Sequence, residues 1–543
     1  MDLLTPKLQR NLQRVLKHNQ IAAEHLAMVN DAVTQIRAEG LKKNQGKLSR
    51  AMDLLTPKLQ RNLQRISEHS QIAAEHLAMA NDTITQIMAA QALLRRQYTK
   101  RQVKPLSQTG ILKSRDANRS ISSRKAKDAA AQERKLQKQW EKVHDRDGSF
   151  NAILRLVSTK LTRWDAIYFT EVASRGYIFE QEWAWGLGFT KLINFFANAL
   201  QQTGSVDYAF KENIAGIIIA HAAHGLSVLV LYCLGRAIFP GRQGRMLAFI
   251  AACLHIFSPA GLFLSAPYGE STYALLSFTG SFLFVQSFSL SGASTGLEDA
   301  FLPLAGIMFG LATSVRSNGL LNGILFLEEA IRLLYSMTRG VTFAKTRRLF
   351  AVGIAGVCTA LGFVIPQYIA YRDFCVNYPY THGEEPRIWC RRTLPSIYSF
   401  VQEHYWNNGF LRYWTLSNIP LFALASPMLA IMTYSALWTL NVESGRLAGS
   451  GRLLRSLAAP QLILTILTFA NHHVQIITRM SSGYPVWYFW IADLLMKEYS
   501  SVRLDKKEVG IQKQRSCASL TVTYMIVYAA VQGVLFASFL PPA

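Results

Sequence analysis

Acidic residues are scarce in this sequence. The 543 residues include 34 Asp and Glu against 58 Lys and Arg, which gives a formal net charge of +24. Cysteine is also rare, with six residues, and no Cys-x-x-Cys pair or His/Cys ligand spacing occurs. We therefore expect no metal site. Because no zinc-finger spacing or RNA-binding aromatic motif accompanies the basic charge, nucleic-acid binding is not expected either.

Residues 1–150 lack an apolar run of the ~20 residues that a membrane span needs, and no signal peptide opens the chain. Residues 1–39 and 52–90 are two copies of one segment, each beginning MDLLTPKLQRNLQR. Leu4, Leu8 and Leu12 recur at helical spacing. We predict a duplicated amphipathic helical segment over residues 1–99, either a coiled-coil module that pairs with another helix or a fused sequence. Residues 100–148 are basic and poor in large apolar residues, which predicts a disordered linker.

The rest of the chain is rich in apolar segments. They predict an all-α, polytopic membrane domain over residues 149–543. The approximate spans are 214–236, 246–267, 272–290, 301–315, 318–335, 349–370, 417–439, 457–471, 484–497 and 518–540. The segment Ser149–Leu161 is too short to serve as an earlier span, and it contains Arg155 and Lys160.

Basic residues concentrate in alternate loops between these spans. If the ten segments alternate in direction, all of these loops share one side, which the positive-inside rule makes cytoplasmic. The opposite face then receives residues 163–213, the loop 371–416 and the loop 472–483. A one-sided, non-cytoplasmic site is therefore expected.

The stretch RWDAIYF, residues 163–169, places acids among aromatic side chains. Asp165 follows Trp164 and precedes Tyr168, and Glu180 and Gln181 lie a short distance downstream. Aromatic rings stack on sugar rings, and a carboxylate can accept a proton from a hydroxyl. The pattern thus suits sugar chemistry. The alternative is an aromatic belt at the membrane interface.

Ionisable residues in a membrane domain are functional candidates, because each is unfavourable there unless it is paired. Asp165, Glu270, Arg316 and Arg479 meet this description. Asn318 lies in the same predicted helix break as Arg316, and His472 opens the loop that contains Arg479. The alternative interpretation is a set of structural ion pairs that holds the helices together.

Several motifs together resemble the second GPI mannosyltransferase family, from about Thr162 to the C-terminus. They include RWDAIYF, FSPAGLFLSAPYGES, ATSVRSNGLLNG and HHVQIITRMSSGYPVWYFW. The resemblance implies a GT-C glycosyltransferase of the endoplasmic reticulum membrane with luminal loops and a luminal active site. Such an enzyme uses dolichyl phosphate mannose and adds the second mannose, in α1,6 linkage, to the GPI glycolipid. The family's functional Trp-Asp pair falls on Trp164 and Asp165.

This implied reaction inverts the anomeric centre, so one general base suffices, and we assign that role to Asp165. Arg316 and Arg479 are expected to meet the leaving phosphate. The residues expected to contact substrate are Trp164, Tyr168, Glu180, Gln181, Glu270, Arg316, Asn318, His472 and Arg479. A lipid-phosphate donor needs no metal-held nucleotide, so no metal and no cofactor are expected.

Cys375 and Cys390 share one loop, which the implied topology places in the lumen. An oxidising lumen permits a disulfide between them, and two free thiols are the alternative. A small membrane partner subunit is a further expectation.

The rival functions are another dolichyl-phosphate-mannose-dependent enzyme and a multipass transporter. A transporter would place its ionisable residues near the midplane, whereas here they gather at one face.

Overall fold

The computed structural model describes residues 149–202, 210–288, 296–377, 387–444, 451–505 and 517–538. The predicted duplicated segment 1–99 and the linker 100–148 lie outside these residues. All regular elements in the described part are helical. The helices are α1 Ser149–Leu161, α2 Asp165–Arg175, α3 Leu187–Gln202, α4 Lys211–Ile238, α5 Gly241–Ile256, α6 Glu270–Gln286, α7 Leu297–Val315, α8 Gly323–Met337, α9 Phe343–Tyr371, α10 Ile397–His404, α11 Ile419–Trp438, α12 Gly451–Asn471, α13 Ile477–Met480, α14 Val486–Asp505 and α15 Cys517–Ala537.

Six of these helices are long and apolar enough to cross a membrane: α4, α7, α9, α11, α12 and α15, some with their flanking turns. The all-α, polytopic prediction is therefore confirmed. The other four predicted spans coincide with α5, α6, α8 and α14, which are shorter or more polar. The segment Ser149–Leu161 forms the 13-residue α1, which packs against α4 and α15.

Small residues allow the central helices to approach closely. α7 packs against α6 on one side and α9 on the other. A Cβ atom on Gly306 or Gly310 would overlap the backbone of α9 at Ala355 or Cys358. Close backbone approach at small residues is typical of helix pairs in membranes. The glycines therefore allow the backbones of α7 and α9 to pack in direct contact.

Three helix breaks carry the polar segments of the bundle. Short 3₁₀ segments occupy Gly261–Leu264 between α5 and α6, Ser317–Asn322 between α7 and α8, and Val474–Ile476 and Ser481–Gly483 on either side of α13. Arg316, at the end of α7, is extended, with φ −145° and ψ 128°. The breaks bring ionisable side chains from distant parts of the sequence to the same end of α6 and α7, as described below.

The chain after α2 forms a 3₁₀ turn, Glu180–Ala184, followed by α3. Phe189, Ile193 and Ala197 recur every four residues and are buried, whereas Phe195 is largely exposed. A Cβ atom on Gly186 would overlap the Val315 carbonyl group. The absence of a side chain at Gly186 therefore lets this segment reach the residue that precedes Arg316.

The loop between α9 and α11 contains a separate apolar cluster. A π-helical turn, Arg372–Val376, extends α9, and the fully buried Trp389 packs with Trp183 in this cluster. Cys375 and Cys390, which the sequence leaves as either free thiols or a pair, form a disulfide with a Cα–Cα distance of 5.7 Å. The loop is therefore covalently tied next to the 3₁₀ turn that contains Glu180.

Two carboxylates and three arginines form an ion-pair network near the start of α7, here called the Asp299 cluster. Arg347 and Arg348 contact Asp299 at 2.7 and 3.2 Å. Glu329 accepts from Arg348 at 2.9 Å and from Arg452 at 2.5 Å. The cluster joins the starts of α7, α9 and α12 to α8. Basic residues from two of the loops predicted to share one side therefore do meet.

Candidate active site

Two carboxylates and two arginines from four separate segments meet near the end of α7, here called the Asp165 cluster. Arg479 links its members. Its Nη1 atom donates to Asp165 Oδ2 at 3.1 Å, and its Nε and Nη2 atoms each lie 2.8 Å from Glu270 Oε1. Arg316 Nη1 lies 2.6 Å from the same Glu270 oxygen. All three guanidinium nitrogens of Arg479 are thus in use.

The members of the Asp165 cluster differ in their exposure. The Glu270 side chain is fully buried, those of Arg316 and Arg479 are 14 % and 15 % exposed, and that of Asp165 is 39 % exposed. Both acids are the first residue of a helix, α2 or α6, where the helix dipole favours a negative charge. Asp165 is therefore the carboxylate that a ligand reaches, and Glu270 lies beneath it.

Arg479 is held in its charged form. Burial alone would lower its pKa, but the negative charges of Glu270 and then Asp165 outweigh that effect and raise the pKa further above its ordinary value. The guanidinium also lies over two aromatic rings, 4.4 Å from the Phe263 centroid and 4.8 Å from that of Tyr268. Such contacts favour a cation. A fixed positive charge therefore faces Asp165 Oδ2.

The turn before Asp165 is strained. Trp164 has φ 56° and ψ −129°, a conformation that non-glycine residues adopt at a cost of about 1–3 kcal/mol. The Tyr268 hydroxyl donates to the Arg163 carbonyl oxygen at 3.2 Å and helps to hold the turn. The half-buried Trp164 indole packs against the bundle core. Contact of Trp164 with substrate stays a prediction, and in this structure Trp164 forms the turn that directly precedes α2.

Aromatic rings stand beside this turn. Tyr168 stacks on Trp185 with centroids 4.3 Å apart and an angle of 6° between the planes, and Trp406 meets Trp185 edge-on at 5.6 Å. Tyr168 is 40 % exposed. Of these three aromatic residues, Tyr168 is predicted from the sequence to contact substrate, whereas Trp185 and Trp406 are not. The signal for Trp406 was present, because it lies in the aromatic-rich stretch at residues 405–414.

Two of the residues predicted to contact substrate are buried. Glu270 is fully buried and holds Arg316 and Arg479, so it positions the arginines instead. Asn318 is also buried, and its amide donates to the Tyr484 hydroxyl at 3.3 Å. Contact of either side chain with substrate stays a prediction.

His472 is half-buried, and burial followed by the charge of His473 lowers its pKa. The neighbouring His473 makes a polar contact across to another segment, because its Nε2 lies 3.0 Å from the Trp406 carbonyl oxygen. His473 also stacks on Tyr413 at 4.6 Å. His473 thus ties this loop to the segment that carries Trp406.

Glu180 and Gln181 belong to a second group of residues. Glu180 Oε1 accepts from Trp389 Nε1 at 2.7 Å and lies 2.8 Å from Arg387 Nη1. The Tyr405 hydroxyl donates to Glu180 Oε2 at 3.4 Å. These contacts connect Glu180 to the disulfide-bonded loop, and the contacts described for the Asp165 cluster do not include Glu180.

Glu182 has a structural role that the sequence analysis missed. It is buried, pairs with Arg175, and accepts from the backbone N–H groups of Ile178 and Phe179 at 2.8 and 3.0 Å. Burial would raise its pKa, but Arg175 and these backbone donors lower it overall. Glu182 therefore joins the end of α2 to the turn that carries Glu180. No sequence pattern predicts the pairing, because Arg175 and Glu182 belong to different elements.

Comparison with known proteins adds to this geometry. A family model described as Mannosyltransferase (PIG-V) matches residues 146–447 and 454–543. A GPI mannosyltransferase 2 of Chaetomium globosum is 45 % identical over 417 residues, covering 71 % of this chain and 84 % of that protein. A GPI alpha-1,6-mannosyltransferase 2 of Cricetulus griseus is 29 % identical over 459 residues, covering 70 % of this chain and 87 % of that protein.

Among solved structures, the Archaeoglobus fulgidus oligosaccharyltransferase is similar over 69 % of this chain and 48 % of its own. The TM-score is 0.39 and the sequence identity is 14 %. A likeness of this size supports no functional argument.

Proposed function

The chain belongs to the mannosyltransferase family described as PIG-V, and we propose that it adds the second mannose, in α1,6 linkage, to the GPI-anchor precursor. The proposed donor is dolichyl phosphate mannose, and the proposed site faces the lumen of the endoplasmic reticulum. The activities for which the relatives are named support the acceptor and the linkage. The protein is a mannosyltransferase and, by its six membrane-crossing helices, a multi-pass membrane protein.

The observation that carries the proposal is the half-exposed Asp165 carboxylate, held through Oδ2 by Arg479. In an inverting transfer, the acceptor hydroxyl attacks C1 of the donor mannose while the bond from C1 to the phosphate oxygen breaks. The hydroxyl proton must move to a base as the new bond forms. Asp165 is the carboxylate of its cluster that an acceptor can reach, so it takes this proton.

The leaving group is dolichyl phosphate, and its developing negative charge needs fixed cations. In its contacts with described residues, Arg316 uses only Nη1. Its Nε and Nη2 atoms are therefore available to form the bidentate contact that arginine makes with phosphate. Arg479 contributes as the reaction proceeds, because protonation of Asp165 removes the negative charge that faces Nη1. Both positive charges then act on the phosphate.

The luminal placement is supported by the charge distribution along α7. The Asp299 cluster lies near the first residue of α7, and Arg316 follows the last. The 19 residues of α7 span about 28 Å at the usual rise per residue, close to the ~30 Å of a bilayer core. The two clusters therefore lie at opposite faces. The basic loops of the Asp299 side favour the cytoplasm, which leaves the Asp165 side to the lumen.

The absence of a metal from the reaction remains a prediction, and so does a small membrane partner subunit. The donor already carries an activated phosphate, and Arg316 and Arg479 supply positive charge. Transfer should therefore continue in the presence of a chelator, and loss of transfer that added Mg²⁺ or Mn²⁺ restores would contradict this.

The proposed function is tested in cells that lack the second GPI mannose. Expression of the full chain should restore surface GPI-anchored proteins, and an α1,6-specific mannosidase should remove the added sugar from the isolated precursor. The control is an equally expressed Asp165→Asn variant. Mannose found on a different lipid-linked acceptor, or in another linkage, would contradict the proposal and would favour another dolichyl-phosphate-mannose-dependent enzyme.

A further inference from the structure

A cavity lies beside Glu180, and none of the four residues of the Asp165 cluster lines it. Its volume is about 230 Å³, which is below the roughly 300–1,000 Å³ of sites for drug-sized ligands and is suited to a single ring. Its lining residues come from the turn after α2 and from the disulfide-bonded loop: Ile178, Phe179, Glu180, Gln181, Phe374, Arg387 and Tyr405. We propose that this cavity binds a non-reacting sugar ring of the glycolipid acceptor. This inference depends on the function proposed above.

The chemistry of the walls favours a neutral, hydroxyl-rich ligand. The Glu180 carboxylate would repel an anion, and Arg387, 2.8 Å away, already compensates its charge. The side-chain amide of Gln181 has no hydrogen-bond partner among the described residues, so both its donor and its acceptor can serve a ligand. Sugar hydroxyls both donate and accept, and they match this combination.

Aromatic rings supply the apolar part of the cavity. Arg387 lies over the Phe374 ring at 4.8 Å, and Phe179 is 56 % exposed. The Tyr405 ring also lines the cavity and is 44 % exposed, with its hydroxyl directed to Glu180. Aromatic faces beside a few placed polar groups are the usual composition of a small-molecule site.

The position of the cavity assigns it to the acceptor. Asp165 is the first residue of α2 and Arg175 the last, and these 11 residues span about 16 Å. Arg175 pairs with Glu182, which adjoins Gln181. The cavity is therefore anchored to the far end of α2. Because the donor carries one hexose, which must lie at Asp165, any further sugar ring belongs to the acceptor.

The loop contributes its side of the cavity through a covalent constraint. Phe374 and Trp389 each adjoin one cysteine of the Cys375–Cys390 disulfide, and Trp389 and Arg387 both contact Glu180. Binding energy from a remote part of a substrate can support reaction at a distant centre. The cavity would thus improve use of the complete acceptor without touching the reacting atoms.

The test uses the full chain in membranes, dolichyl phosphate mannose and two acceptors. One acceptor is the complete lipid-linked precursor, and the other carries only the reacting mannose on an alkyl chain. Gln181→Ala should raise the KM for the complete acceptor about 3- to 10-fold, the value of one hydrogen bond. The KM for the short acceptor and for the donor should not change. Tyr405→Phe should act in the same direction.

Glu180→Gln should raise the KM for the complete acceptor further, but it also disturbs Arg387 and Trp389. Its matched control is Glu403→Gln, an exposed acid that pairs with Arg392 and Arg412 outside the cavity, and this variant should behave as the wild type. Equal KM increases for both acceptors, or no increase with Gln181→Ala and Tyr405→Phe, would overturn the inference. A wild-type protein that mannosylates neither acceptor would instead refute the proposed function.

Discussion

Two clusters of carboxylates and arginines lie at opposite ends of α7. In the Asp299 cluster both acids are buried, and each pairs with two arginines. In the Asp165 cluster the buried Glu270 also holds two arginines, but one of them reaches a second acid that is 39 % exposed. The same residue types therefore form a closed network at one end and an accessible carboxylate at the other.

Phe288 illustrates the difference further. Its ring lies against Arg348 at 4.5 Å and Arg452 at 4.9 Å in the Asp299 cluster. At the other end, the stacked pair of Tyr168 and Trp185 stands beside the accessible acid, with Tyr168 partly exposed. An aromatic ring thus lies against two cations of one cluster, whereas a partly exposed aromatic pair stands beside the accessible acid of the other. Ion pairing is common to both clusters, and the exposure of Asp165 is what distinguishes them.

The largest effect is expected from Arg479→Ala. This change frees Asp165 and removes one of the two partners of Glu270, so transfer should fall about 10²- to 10³-fold. Arg479→Lys should not restore it, because an ammonium group cannot reproduce the bridging guanidinium geometry. The measurement is initial rate per folded protein. Near-normal rates in Arg479→Lys would show that only the charge matters and that the bridge is dispensable.

Arg316→Ala should have the next largest effect. Because Arg316 has donors available for the leaving phosphate, kcat/KM for the donor should fall roughly tenfold to hundredfold. The KM for the acceptor should change much less. The measurement varies donor and acceptor concentrations separately. An equal loss for both substrates would make Arg316 a structural arginine like those of the Asp299 cluster.

Glu329→Gln tests the closed cluster. Removing one partner of a buried ion pair should destabilise the fold by about 3 kcal/mol, while the transfer rate per folded molecule stays unchanged. The control is Glu328→Gln. Its carboxylate pairs with Arg332 four residues away on the same helix and is more exposed, so its effect should stay below about 1 kcal/mol. Thermal unfolding of the solubilised protein measures both variants. Selective loss of activity in Glu329→Gln would break the contrast between the clusters.

The smallest effect concerns Glu182. Because its pKa is lowered in the folded state, the stability it contributes is present above its unfolded pKa and is lost as the pH falls through the folded value. Glu182→Gln should destabilise by about 1–2 kcal/mol at neutral pH and approach the wild type in acid. Unfolding measured from pH 7 to pH 3 checks this. A constant difference across that range would contradict the ionic role.

The sequence predicts the helices of the bundle well, because long apolar runs are typical of helices that cross a membrane. It also selects Asp165, Arg316 and Arg479, because ionisable residues stand out among such runs. The pairing was not predictable, since 314 residues separate Asp165 from Arg479 and 209 separate Glu270 from Arg479. Sequence alone therefore could not show that Glu270 lies underneath and only Asp165 is accessible.

The stretch after α2 shows the same limit. Glu180 and Glu182 are two residues apart, yet Glu182 closes a local turn with Arg175 and Glu180 reaches the disulfide-bonded loop. Residue type alone predicts the same role for Glu180 and Glu182. Their roles differ because packing around Trp389 places the disulfide-bonded loop next to Glu180. Residue type predicted the region of the site but not the role of each acid.

The account depends most on Asp165 as the base. The direct measurement is the rate of mannose transfer from dolichyl phosphate mannose by the full chain carrying Asp165→Asn, compared with the wild type at equal membrane abundance. Asparagine keeps the shape but cannot take the proton, so the rate should fall about 10²- to 10⁴-fold while donor binding persists. A rate within a few-fold of the wild type would contradict the account.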